Sequence, residues 1–179
     1  MKTFSIILIF LGMLTTSYSQ EEIKNDLDNE VLKMDELPEI VIKSVGKDFS
    51  VYLPDKNPDN KVKNLQQKFI AYNLGKDYEG YENFLVVMET NDGSLTASYN
   101  SNGKLTRVIE KYQNVKLPSK VIYAVYKAYP GWQLVNDKFL YTQEDGDIIK
   151  KQYQIKIKKD NETRKLVIHP NGDIIKDLN

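Results

Sequence analysis

The sequence predicts an α+β fold, a tandem repeat in which a helix packs on an antiparallel β-meander. Three observations carry that expectation. Two stretches with helical apolar spacing each precede a run of short strands. Turn pairs built on Asn, Asp and Gly separate those strands. The segment YNSNGKLTR at 99–107 is echoed 69 positions later by IHPNGDIIK at 168–176.

The first 19 residues, with Lys2, an apolar run from Phe4 to Leu14 and small residues at Ser17 and Ser19, have the layout of a secretory signal cleaved after Ser19. The run is well short of the roughly 20 apolar residues that cross a bilayer as a helix. With no Cys in the chain, lipid attachment at a new N-terminus and disulfide stapling are both excluded. The expected location is therefore periplasmic or secreted, without a lipid anchor. Residues 20–36 read as an acidic linker, since 21–39 hold eight acids against two Lys and few apolar residues.

The first repeat is expected over 37–115. EIVIKSVG and FSVYLP read as strands rich in β-branched and aromatic residues. PDKNPDN supplies a loop and a helix start, and Val62, Leu65, Phe69 and Tyr72 then share one helical face that Gly75 closes. ENFLVVMET, SLTASYN and KLTRVIEKY follow as three strands, punctuated by NDG and NSNG.

The second repeat is expected over 116–179. Pro118 suits a helix start and Pro130-Gly131 a helix end, with Val121, Ile122, Val125, Ala128 and Tyr129 on the inner face. Strands WQLVNDKFLYT, DIIKKQYQIKIKK, RKLVIH and DIIKD complete it. Tyr153, Ile155 and Ile157 alternate with Gln154, Lys156 and Lys158, one face core and the other water. The seven bases of 150–165 read accordingly as the wet side of a strand pair rather than as a binding stripe.

Overall charge selects no partner: 25 basic and 25 acidic side chains cancel, so no global field favours nucleic acid or anionic lipid. The search for chemistry returns little. The single His, His169, stands at a strand end without Cys, too few ligands for zinc, and no G-x-S-x-G elbow accompanies it. No phosphate-binding Gly motif is present. Asp55, Asn57 and Asp59 are spaced like the start of a calcium loop, but Asn60 stands where Gly belongs and Gln66 where a bidentate Glu belongs. A capping loop before the helix explains them more simply. The expectation is no catalytic set, no cofactor and no metal.

Tyrosine is the compositional oddity, with 12 in the chain. Tyr72, Tyr99, Tyr129 and Tyr153 fall on core faces, and among the others Tyr78, Tyr81, Tyr123 and Tyr141 are the better candidate binding residues. Leu85 and Val87 should point away from the helix beside Thr96 and Ser98, either packing against the other repeat or forming a contact patch.

LPSKVIYAVYKAYPGW, QYQIKIKK and RKLVIHPNGDII together resemble the PepSY-like, β-lactamase-inhibitor-like domains exported by Gram-negative bacteria, over residues 117–177. The resemblance implies a small α+β unit, sometimes in tandem. In β-lactamase-inhibitory protein two such units join their sheets into a concave, aromatic-rich face for an enzyme. It supplies no inhibitory residues for this chain.

The function expected from these readings is an exported, non-enzymatic binding module that holds a protein or peptide in the cell envelope, inhibition of a peptidase or other envelope enzyme being one form of that. A calcium-dependent envelope factor or hydrolase, resting on the carboxylates of DKNPDN and EDGD, and a structural envelope protein are the alternatives.

Overall fold

Alternation of apolar and polar residues over 83–178 builds one sheet. The computed structural model describes residues 40–45 and 48–178; the expected signal segment, the acidic linker and the Gly46 turn lie outside the described residues. A short hairpin, β1 (Val41–Val45) and β2 (Asp48–Tyr52), leads to helix α1 (Asn60–Ala71). Strands β3 (Asn83–Thr90), β4 (Gly93–Asn100) and β5 (Leu105–Gln113) precede helix α2 (Ser119–Ala128). Strands β6 (Gln133–Glu144), β7 (Asp147–Lys159), β8 (Glu162–Ile168) and β9 (Ile174–Leu178) follow. β3 to β9 form a single seven-stranded antiparallel sheet in sequence order.

That sheet corrects the expected tandem of helix-on-meander modules. The boundary between 37–115 and 116–179 is not a break, because β5 and β6 pair from Arg107–Glu144 through Gln113–Lys138. The described residues fall in one compact unit with one contiguous core, running from Tyr52 and Val62 to Leu166 and Ile168. Among the described residues strands dominate, and the two helices are only 12 and 10 residues long. The 69-residue echo is confined to hairpin register: Phe84 pairs with Tyr99 as Tyr153 does with Ile168, and both strand pairs that follow carry a register shift. Similar hairpins share one sheet here, because burying the β5 and β6 side chains together hides more apolar surface than two separate edges could.

Helix α1 starts where Asp59 accepts a hydrogen bond from the Lys61 N–H at 2.7 Å, satisfying a donor of the first turn. It buries Val62, Leu65 and Phe69, each worth about 1.5–3 kcal/mol of apolar transfer. Phe69 meets Tyr52 edge-on at 5.0 Å. Helix α2 buries Val121 and Val125, while Ala128, expected inside, is exposed. Pro118 occupies the cap position, just outside the helix.

Residues directly paired across strands point to the same face. Leu95, Ala97 and Tyr99, with Val108, Phe139, Tyr141, Tyr153 and Ile155, thus define one covered face, on which both helices lie. The hairpin is pinned to that face by polar contacts. Ser50 Oγ accepts from the Leu105 N–H at 2.7 Å, and Gln143 accepts from the Leu53 N–H and donates to the Val51 carbonyl. Buried backbone groups at the hairpin edge are thereby satisfied.

Candidate binding surface

The opposite face of the sheet carries the alternate residues, and no described element covers its centre. Lys111, Lys138, Lys165 and Lys176 are exposed there and Lys156 is half-buried. Register turns these scattered residues into a line. Lys111 pairs with Leu140 and Gln113 with Lys138, so Lys111 and Lys138 are diagonal neighbours. Lys138 is likewise diagonal to Lys156, which pairs with Lys165, and Lys165 is diagonal to Lys176.

The result is a lysine stripe crossing five adjacent strands, about 20 Å at the usual strand spacing; Lys156 and Lys165, expected only as the wet side of a strand pair, join it because register aligns them with lysines of β5, β6 and β9. Among the described residues none of the five makes an ion pair. Like charges directly opposite one another destabilise a sheet, so the Lys156–Lys165 pair is a local cost that an anion would remove. Arg107, nearby on β5, already pairs with Glu144 at 2.9 Å.

Two shallow depressions follow the stripe and share Lys138 and Gln154. One, of about 450 Å³, is bordered by Glu89, Ser94, Lys111 and Leu140. The other, of about 410 Å³, is bordered by Lys156, Lys165, Val167 and Leu178. Their linings mix lysines with aliphatic and amide side chains, and the first also carries the Glu89 and Asp92 carboxylates at its β3–β4 end.

The residues singled out from sequence do not gather here. Tyr141 is fully buried, its hydroxyl donating to the Leu53 carbonyl, and Tyr78 is buried in the core. Both are corrected from binding to packing roles: β6 alternation turns Tyr141 inward with Phe139. Tyr81 and Tyr123 are exposed, one tilted against Phe84 at 5.9 Å and the other beneath Lys127. Leu85 and Val87 do not pack against a second repeat; they are exposed on edge strand β3.

The oxygens of the calcium-like loop are already engaged. Asp55 pairs with Lys151, and Asn57 accepts from the Asp59 N–H and donates to the Tyr153 hydroxyl at 3.0 Å. Asp59 caps α1 and accepts from the Lys116 N–H. These groups are engaged by backbone donors, a lysine, the Tyr153 hydroxyl and, from Asn57 to Asp55, by one another, and no cluster of metal-binding side chains occurs among the described residues.

Glu110 was missed from sequence. It is fully buried on β5 and accepts from Tyr52 and Tyr112 at 2.7 Å each and from Gln66 at 3.0 Å. Burial pushes its carboxyl above the usual carboxylate range, against the opposing pull of those hydrogen bonds. Burial likewise pushes the Tyr52 and Tyr112 hydroxyls up, the carboxylate adding to the shift. With no exposed surface, this cluster holds the fold together. Its only sequence signal is an acid in an inward register position of KLTRVIEKY.

No protein-family model matches the chain, and no curated protein does. Among solved structures the chain is similar to a DUF2874 family protein from Bacteroides ovatus ATCC 8483, at 17% identity over 69% of this chain and 87% of that one, with a TM-score of 0.36.

Proposed function

We propose that the chain is an exported, non-enzymatic binding module whose uncovered sheet face holds an extended acidic segment of a protein partner in the cell envelope. The reading rests on the lysine stripe, above all on Lys156 facing Lys165 across β7 and β8 without an acid paired to either. Nucleic acid is the weaker occupant. The one aromatic ring lining the two depressions, Tyr112, is buried with its hydroxyl bonded to Glu110, so it offers no face on which a base could stack. Kinship with exported PepSY-like, β-lactamase-inhibitor-like domains belongs to the same reading, as does inhibition of an envelope enzyme as the outcome of binding.

The test is fluorescence anisotropy with a labelled ten-residue Glu/Asp-rich peptide, its Gln/Asn counterpart and a single-stranded oligonucleotide of equal length. The acidic peptide should bind with an affinity that falls steeply with salt, its neutral counterpart should not, and Lys156→Glu/Lys165→Glu should weaken binding at least tenfold. Equal binding by that variant, no binding at low salt, or preference for the oligonucleotide defeats the reading.

A further inference from the structure

The two edges of the seven-stranded sheet differ in how they are protected. Strand β9 is five residues long, carries Lys176 and Asp177, and pairs with β8 through a register shift. Short length, charge and irregularity all discourage a further strand from adding to an edge. Strand β3, NFLVVMET, is eight residues long, pairs with β4 without a break, and has neither Lys nor Pro. Leu85 and Val87 are 58% and 54% exposed on it, and Phe84 and Met88 are only partly buried on its other side.

The direction of its backbone groups follows from one bond. Gln113 donates its N–H to the Asp92 carbonyl at 2.8 Å. Because Gly93 lies opposite Tyr112, the even-numbered residues Ser94, Thr96 and Ser98 turn their peptide groups to β5, and Leu95, Ala97 and Tyr99 turn theirs to β3. Those three pair with Met88, Val86 and Phe84. The peptide groups of Leu85, Val87 and Glu89 therefore face out of the sheet edge.

We infer that β3 is a dimerisation edge on which a second copy of this chain adds its own β3, antiparallel, about a two-fold axis through Val86. That axis sets Leu85 against Val87 of the second copy and the reverse, on the uncovered face. It sets Phe84 against Met88 on the helix side, Glu89 against Asn83, and Thr90 against Glu82. Apolar side chains meet apolar ones on both faces, no like charges meet, and the outward peptide groups of Leu85 and Val87 become hydrogen-bonded pairs. Moving the axis to Val87 sets Leu85 against Glu89, and moving it to Leu85 sets Val87 against Asn83. The match to itself at one register selects a second copy over an unrelated peptide, since a two-fold contact requires a self-complementary strand.

Sedimentation equilibrium of the full chain and two double variants tests this, with circular dichroism confirming that each folds. Both positions are exposed, so neither variant removes a core contact. The wild type should show twice the mass of its own single chain, which denaturing mass spectrometry of the same sample gives. Leu85→Lys/Val87→Lys places lysines directly opposite one another at two positions and should weaken dimerisation at least tenfold. Leu85→Lys/Val87→Glu places opposite charges across the axis in the same register and should keep the dimer. A monomeric wild type at 100 µM (an order-of-magnitude loading, ~10⁻⁴ M, where weak specific contacts register), or equal behaviour of the two variants, overturns the proposal.

Discussion

Tyr52 donates its hydroxyl to Glu110 Oε1 at 2.7 Å, joining hairpin strand β2 to the middle of the seven-stranded sheet across 58 positions of sequence. Gln66 of helix α1 and Tyr112 of β5 reach the same carboxyl group. One side chain thus ties hairpin, helix and sheet, and its environment dictates how stability depends on pH.

The folded-state value for Glu110 lies above that of the unfolded chain, because burial penalises the charge. Between those two values the folded state binds more protons, so this group's contribution is fully present below the unfolded value and declines as pH rises through the folded one. Glu110→Gln should flatten that decline in urea midpoints measured across pH 4 to 9 (spanning the ordinary Glu value of about 4.3), since Gln66 can flip and Tyr112 can rotate to meet an amide. Glu110→Ala, which leaves both hydroxyls and the Gln66 amide without a partner, should cost about 3 kcal/mol.

Gly93 is fixed by a close approach. A Cβ there would lie 2.2 Å from Tyr112 Cδ1 and 3.1 Å from the Lys111 carbonyl oxygen. The Tyr112 ring cannot retreat without stretching its bond to Glu110. Gly93→Ala should therefore lower stability by about 2 kcal/mol, and the penalty should shrink in a Glu110→Ala background, where the ring is released. A double-mutant cycle by chemical denaturation measures that coupling.

Tyr141 separates packing from recognition. Tyr141→Phe removes the hydroxyl that donates to the Leu53 carbonyl and should cost about 1 kcal/mol of stability. Acidic-peptide affinity should stay at the wild-type level, because the ring lies on the covered face. A loss of affinity without a loss of stability in anisotropy and denaturation experiments contradicts the placement.

The lysine stripe should show a conflict between stability and binding. Lys165→Glu converts the repulsive pairing with Lys156 into an attractive one. Its melting temperature should rise at low ionic strength, the gain should fade at high salt, and acidic-peptide binding should weaken. Equal melting temperatures at every salt concentration would remove the argument that Lys156 and Lys165 repel.

Much of the local structure was legible in particular residues. Asp59 before Val62, Leu65 and Phe69 marked the start and buried face of α1. The Asn102-Gly103 and Asn171-Gly172 turns fixed two hairpins, and the alternation through Tyr153, Ile155 and Ile157 gave the inner face of β7. Tyr141 as a residue type suits a surface as well as a core, and its place beside Phe139 on the covered face of β6 decides for the core. Asn171 beside it marks Gly172 as a turn residue. The Lys120 carbonyl 2.9 Å from where its Cβ would stand is a second constraint no local pattern could reveal.

The sequence by itself determined where most strands and helices begin, the inward side of α1 and of β7, and that no familiar catalytic motif is present, since these depend on neighbours a few residues apart. Only the tertiary structure decided that β5 and β6 pair into one continuous sheet, that Glu110 gathers Tyr52, Gln66 and Tyr112, and that five lysines from five strands fall on one diagonal. The reason is that register between strands is set by which side chains pack together across the whole core, and a slip of one residue in any of those strands would send its lysine to the opposite face.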